Sequence, residues 1–442
     1  MISTFINAWK IADLRKKMLF TALIVLIFRI GAAIPVPFTD ITNGIIPEGS
    51  ESFMNYLSMM TGEAFNYGTI FAMGVTPYIN SSIIIQLLAV AIPALEKLSK
   101  EGEEGRKKMA TITRYTTIAL ALMQSTAYFI YLRAQTNPRL IVTDASGELF
   151  TGFPAVLQGL VVILVLTAGS TFVMWLGEQV NDRGIGNGVS IILFAGIVSR
   201  MPTLCVQLYS LLMSGEAYWA LVPIVVVLLL AMIAYIVWMD NAERRIPVQY
   251  AKRVVGRKMY GGQSTFIPIK VNMSGVLPVI FASSILSLPA TVRLFLSDDK
   301  VNGTGWETFF KMFSSDHWFY AILYFFLILF FAYFYASIQY NPLEMANNIR
   351  KNSGMIPGIR PGKPTSDYIK KILSRITLLG ALLLSVVALF PNLLTIFTKL
   401  IGYPMALSLG GTSLIIVVGV ALETVKQLES QMMMRHYKGF LD

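Results

Sequence analysis

The sequence predicts an all-α protein that crosses a membrane ten times, and three observations carry the prediction. Hydrophobic residues make up 55% of the 442 residues, and mean hydropathy is +0.62. Charged residues make up only 14%, where a soluble domain carries about 25%. Ten mostly apolar segments alternate with polar loops, most of them near the ~20 residues that a helix needs to cross the hydrocarbon core.

The first segment, 18–36, follows Arg15, Lys16 and Lys17 as the core of a signal peptide would. Its apolar run is longer than the roughly 7–15 residues of such a core and leads into more membrane, so it reads as an uncleaved span. The second span, 73–92, has a long apolar preamble broken by Thr61-Gly62-Glu63, Gly68, Gly74 and Pro77. That pattern predicts a short helix at 53–67, a break, and a full helix from about 74. Irregular backbone is tolerated at membrane depth only where protein buries it or it lines a cavity. The short helix is therefore placed inside a funnel, with an interfacial helix on the membrane surface as the alternative.

Spans follow at 115–132, 153–176 and 185–199, the last opened by Gly184-Ile185-Gly186-Asn187-Gly188. These glycines lack a preceding strand and the spacing of a nucleotide loop, so they read as a close helix crossing. Asn187 then caps the helix or bonds a neighbouring one. A middle loop near 200–217 precedes spans at 217–239, 275–296, 318–338, 376–398 and 406–428. The chain divides into halves at 1–205 and 206–442. Five spans in each half place the two halves in opposite orientations, as in inverted repeats.

Charge sets the orientation. With Arg293 and Lys426, near span ends, counted with their adjoining loops, one side of the ten-span arrangement carries 28 Lys/Arg and the other 7, and Arg29 lies inside a span. The positive-inside rule places both termini, and the basic loops 240–274 and 339–375, in the cytoplasm. Basic residues beside spans attract anionic lipid. That does not explain the turn-forming MIPGIRPGKPT around Arg360, which shapes a protruding tip suited to protein or RNA contact.

The spans lack the groups that energy conversion and catalysis need at depth. Glu178 and Glu423 fall near span ends, and His317 and His436 lie outside the spans. No HExxH, phosphate-binding loop or paired intramembrane aspartate occurs. The lone Cys205 offers neither an intrachain disulfide nor a metal cluster. These absences argue against an enzyme, a pump or a bound cofactor and weaken the alternative of a solute transporter, while a membrane scaffold would explain the docking loops but not the interrupted second segment. Arg29 reads as a charge that snorkels or pairs with backbone carbonyls. Asn80, Ser81, Ser82 and Gln86 serve either helix contacts or a wet seam.

Seven motifs occur in an order that resembles the SecY family of protein-conducting channels over essentially the whole chain: RIGAAIPVP, PYINSSIIIQLL, RGIGNGVSI, RRIPVQYAKRVVGR, QSTFIPIKVNMSGVLPVIFASSI, NNIRKNSGMIPGIRPGKPT and GGTSLIIVVGVALET. The resemblance implies two pseudo-symmetric five-helix halves around a central pore. Unfolded secretory proteins would pass through it, and membrane proteins would leave it sideways into the cytoplasmic (inner) membrane. It implies a pore ring of Val75, Ile79, Val189, Leu193, Ile280 and Ile416. It implies a plug of about residues 53–67 with Tyr56, Met59, Met60, Gly62 and Phe65, and a lateral gate near Ser82, Gln86, Ser283 and Ser284. Docking of the SecA ATPase and the ribosome, through its RNA and proteins, maps onto Arg244, Arg245, Lys252, Arg253, Arg257, Lys258 and Arg360. Further implied partners are SecE and SecG as channel subunits, signal peptides, preproteins and anionic lipid. Two departures from the family pattern stand out: Thr61-Gly62-Glu63-Ala64 in the plug, and Phe38 where a glycine is usual after IPVP.

Overall fold

The computed structural model describes residues 2–39, 61–134, 152–213, 218–250, 253–255, 258–260, 264–286, 305–313, 317–400 and 411–438, with isolated positions between them. Each of the ten predicted spans falls on a helix. They are α2 (Ala12–Gly31), α3 (Thr76–Ala91), α5 (Glu103–Ala134), α6 (Phe153–Arg183), α7 (Gly188–Val198), α9 (Tyr218–Asn241), α10 (Leu277–Leu286), α12 (Trp318–Gln339), α14 (Lys363–Leu400) and α15 (Gly411–Lys438). The rest of the seventh span and the start of the tenth lie outside the described residues. Five helical stretches are long and apolar enough to cross a membrane by composition alone: 153–183, 188–213, 218–241, 318–351 and 363–398.

Shorter helices complete the frame: α1 (Ile2–Lys10), α4 (Pro93–Lys100), α8 (Met201–Met213), α11 (Gly305–Met312) and α13 (Pro342–Lys351). Between α3 and α4 the chain bends by 108°. Ile92 there is extended, and Pro93 cannot donate a helical hydrogen bond, so the first helix ends and a new one starts.

Two expectations are corrected. Residues 61–67 run as turns, not helix. Gly62, Glu63, Gly68 and Gly74 all have φ between 52° and 72°, a left-handed conformation that interrupts helical hydrogen bonding. The middle loop near 200–217 is largely the helix α8, so the expected division between residues 205 and 206 falls inside an element. Only a two-residue turn at Ser199 and Arg200 separates α7 from α8.

The helical fold class holds, and the basic loops add short strands to it. The basic loop after α9 forms β1 (Glu243–Tyr250), β2 (Arg253–Val255), β3 (Lys258–Tyr260) and β4 (Ser264–Lys270), and β5 (Gly354–Met355) follows α13. The order is β4-β1-β5, antiparallel throughout, with Ile246 opposite Ile267 and Gln249 opposite Met355. β2 and β3 form a separate two-stranded ribbon.

The glycine crossing at 184–188 is borne out. A Cβ on Gly188 would lie 1.9 Å from the carbonyl oxygen of Gly177 on α6, so α6 and α7 touch backbone to backbone. Asn187 caps α7, its Oδ1 accepting from Val189 N (3.1 Å) and Ser190 N (3.3 Å). Asn181 accepts from Gly188 N at 2.8 Å and Thr21 Oγ1 accepts from Ile185 N at 3.1 Å, which fixes the turn to α6 and α2. Gly188→Ala is expected to destabilise the protein by about 1–3 kcal/mol, as overpacking does. Gly419→Ala, where the new Cβ would meet only Val276 at 3.4 Å, is expected to be near neutral. Thermal unfolding of both variants in detergent checks the contrast, and equal midpoints would contradict the crossing.

Candidate functional site: an enclosed turn, an apolar centre and a basic platform

The segment from Thr61 to Val75 is irregular backbone enclosed by spanning helices, and its polar groups are met from all sides. Ile70 N donates to Ile34 O and Val36 N to Gly68 O, both at 3.0 Å, around a bridge between Pro35 and Thr69. Tyr128 Oη on α5 donates to Phe65 O (2.7 Å), and Ser170 Oγ on α6 donates to Gly74 O (3.1 Å). A Cβ at Gly169 would meet Ile70 O at 2.1 Å, so this glycine admits the turn against α6. Phe65 is buried against Tyr128, with ring centroids 4.8 Å apart. Of the expected plug residues, Gly62 and Phe65 lie in this segment. Tyr56, Met59 and Met60 lie outside the described residues.

Arg29, at the end of α2, donates from Nη1 to Gly62 O (3.3 Å) and Ser199 Oγ (2.9 Å). This is the expected carbonyl pairing, with a serine added. Next to it, Glu63 Oε1 lies 3.2 Å from Arg200 Nε, at the α7–α8 junction. The contact has ion-pair distance without hydrogen-bond alignment, since Arg200 Nε and Nη1 have no hydrogen-bond partner. Glu63 therefore combines a strained φ of 72° with a poorly aligned ion pair. Its side chain is 26% exposed and that of Arg200 only 13%, so removing the carboxylate leaves a largely desolvated cation. Glu63 was the visible departure in the sequence; its partner Arg200 was not singled out.

Val75, Ile79, Leu193, Ile280 and Ile416 are all buried in one hydrophobic cluster, and Val189 packs against it. That cluster also takes in Phe28, Val173, Phe281 and Tyr324, so the six residues belong to the large common apolar core of the bundle. Val75 sits just before α3 with Ile79 one turn on, while Val189 and Leu193 are one turn apart on α7.

The polar residues of α3 divide between both expectations. Ser81 Oγ donates to Thr113 O of α5 (2.8 Å), a buried helix contact. Gln86 Nε2 donates to Ser82 Oγ (3.0 Å) within α3, on an exposed face. On α10, Ser283 Oγ donates to Ile280 O at 2.9 Å, and Ser284 is half-buried. Among the described residues, α3 packs on α4 and α5, and α10 packs on α12 and α14, while extensive packing links neither α3 nor α5 to α10 or α12. The halves join elsewhere, through α7 on α15 and α1 on α15, while α8, which straddles the expected division, packs on α9.

The two basic loops, read as separate, form a single platform. Ile246, Val248 and Ile269 of the sheet share a core with Ala346 and Ile349 of α13, Ile356, and Ile369, Leu373 and Ile376 of α14. The alternation in ERRIPVQY and STFIPIK carried this signal, because Ile246 and Val248 are buried between exposed neighbours. Arg244 is exposed; Arg245 bonds Glu243 at 2.7 Å and lies 4.7 Å over the Phe266 ring. Lys252 and Arg257 lie outside the described residues, and Arg253 and Lys258 are placed by backbone only, on β2 and β3. Arg360 is exposed between Gly358 (φ 79°) and Gly362 (φ 109°), neither of which has an atom within 4 Å of a would-be Cβ. The tip therefore stands clear of the body.

Glu63→Gln and Arg200→Gln should each cost about 1–3 kcal/mol, as breaking a partly buried pair does, and the double variant less than the sum. Thermal unfolding of the four proteins measures the coupling, and strict additivity would remove the pair from the argument.

The family model described as SecY matches residues 69–425. The protein translocase subunit SecY of Streptomyces coelicolor is 43% identical over 464 residues, with 100% of both chains covered. That of Mycobacterium tuberculosis is 43% identical over 461 residues, again over 100% of both. A solved structure described as a protein conducting channel has a TM-score of 0.63 at 18% identity, covering 95% of this chain and 92% of that one. Canine Sec61 in a ribosome–channel complex from the endoplasmic reticulum has a TM-score of 0.60 at 16% identity, with the same coverage. At these identities the structural likeness shows the fold.

Proposed function

This chain belongs to the SecY family, and we propose from that premise how its parts conduct polypeptide. It is a multi-pass membrane protein, a translocase subunit that forms a protein-conducting channel and not an enzyme. The carrying observation is the uneven packing between its halves. They are joined by α7 and α1 on α15, whereas, among the described residues, extensive packing links neither α3 nor α5 to α10 or α12. A body hinged on one side and loosely closed on the other can part to admit a chain and release a hydrophobic segment into lipid. Ser82, Gln86, Ser283 and Ser284 would sit along that seam, where polar contacts between helices contribute only about 0.6 kcal/mol on average.

Within this reading, Val75, Ile79, Val189, Leu193, Ile280 and Ile416 form the constriction. Aliphatic side chains block ions by dewetting and yield to a passing chain without preferring any sequence. Residues 61–67, at the start of the enclosed turn, belong to the plug and are held by Arg29 and Arg200. The basic platform faces the cytoplasm, with both termini on the same side, in the inner membrane. It receives an external engine, SecA or the ribosome, and SecE and SecG complete the channel. Signal peptides and preproteins are the cargo, and anionic lipid surrounds the basic loops. The support is the charge asymmetry of the loops and the clear stance of the tip around Arg360.

Co-reconstitution with SecA and ATP in proteoliposomes is expected to protect a secretory precursor from external protease. Arg360→Glu should abolish that protection with an unchanged unfolding midpoint. Failure of the unmodified chain where a control channel works would overturn the reading, whereas transport by Arg360→Glu would remove only the role of the tip. Replacing Ile79 and Ile280 together by asparagine is expected to raise chloride leak through vesicles at least several-fold. An unchanged leak would take these two residues out of the constriction.

A further inference from the structure

The outer end of α7 carries a charge that an apolar constriction does not need. Val189, Leu193 and Arg200 follow at spacings of four and seven residues, which places them on one face of a helix. The backbone keeps close to that path past the last helical residue, since Ser199 N donates to Ala195 O and Arg200 N to Ile197 O, both at 3.1 Å. Arg200 therefore lies beyond the two constriction residues of α7, on their own side. The enclosed turn is seated on the same end of the helix. A Cβ on Gly62 would lie 2.9 Å from Ser199 Oγ and 3.0 Å from Gly196 O and Arg29 Nη1. Arg200 is largely buried, its Nε and Nη1 have no hydrogen-bond partner, and Glu63 Oε1 approaches Nε to 3.2 Å without alignment.

We propose that Arg200, with Arg29 beside it, is a carboxylate-exchange site. Glu63 fills it while the turn is seated, and an acidic side chain of the passing polypeptide fills it once the turn is displaced. Glu63 belongs to the turn and leaves with it, whereas Arg200 belongs to the frame and stays. Displacement thus leaves a largely desolvated guanidinium without that carboxylate, which is a costly state. Arg29 loses its bond to Gly62 O in the same movement and keeps the one to Ser199 Oγ. A carboxylate on the cargo answers both cations. It is also free to align with the guanidinium fork, as Glu63 on a backbone at φ 72° is not. The site therefore gives the conduit a modest substrate preference that its aliphatic constriction lacks: segments with Asp or Glu stabilise the open state. The inference rests on the reading of this chain as a conduit with the turn as part of its plug.

The test compares two secretory precursors that differ only in a short stretch behind the signal peptide, glutamate-rich in one and glutamine-rich in the other. Both are driven by SecA and ATP into proteoliposomes without a membrane potential. Transport of the glutamine precursor by the unmodified channel tests the conduit reading, and the ratio of the two initial rates tests the exchange site. The acidic precursor is expected to move about fivefold faster, the size of one partly solvated ion pair. E63Q/R200Q should bring the ratio near unity, and R200K should keep most of it, whereas a preference arising in SecA would survive both. In a Cys205→Ala background, a stalled precursor with a single cysteine in that stretch should form a disulfide with Arg200→Cys, a result that does not depend on the double variant folding. Equal rates in the unmodified channel, a ratio that persists in E63Q/R200Q, or no disulfide from any position of the stretch would each overturn the site.

Discussion

Everything in this structure depends on keeping irregular backbone satisfied between spanning helices. An unpaired amide or carbonyl in a low-dielectric surround costs several kcal/mol, so such a segment persists only where protein supplies its partners. The turn from Thr61 to Val75 meets that condition through Tyr128, Ser170, Arg29 and the backbone of residues 34–36. Glycines do the complementary work by letting backbones approach. Gly169 opens α6 to the turn, and Gly188 brings α7 against α6. The four left-handed residues between Gly62 and Gly74 turn the chain so that these contacts are possible, and Glu63 accepts the strain beside Arg200.

The strength of packing is distributed to match a conduit. Close glycine crossings and the packing of α7 and α1 on α15 hold the frame, while extensive packing links neither α3 nor α5 to α10 or α12 among the described residues. Elements that move are drawn from the weakly packed end of a structure. The enclosed turn has a comparable balance. Its backbone is well bonded, but its one ion pair is poorly aligned, so the segment is positioned without being locked. The platform stands apart from both, with a core of its own formed from two loops and the start of α14.

Much of this was legible in the sequence. The apolar periodicity placed ten helices, the GIGNG motif gave the crossing and the cap, and the seven motifs gave the family. The errors have definite physical causes. Residues 61–67 carry an apolar pattern compatible with a helix, but consecutive left-handed residues at Gly62 and Glu63 prevent it. The stretch 201–213 is helical although it falls in the loop expected near 200–217; Pro202 sits in its first turn, where proline is well tolerated. The strands were missed because their charge dominated the reading, while the alternation of Ile246 with Val248 and of Ile267 with Ile269 is short.

The sequence by itself determined which segments enter the membrane, the charge bias between the two faces and the absence of groups for catalysis or proton transfer at depth. Those properties are sums over composition, and burial in lipid reads composition directly. Tertiary structure decided that Glu63 meets Arg200, that Arg29 holds Gly62, and that the two basic loops are one platform. Each of these joins residues more than thirty positions apart through orientation and register. A single strand or turn has no way to encode its partner, because hydrogen bonds and ion pairs are short-ranged and the intervening helices set which ends arrive together.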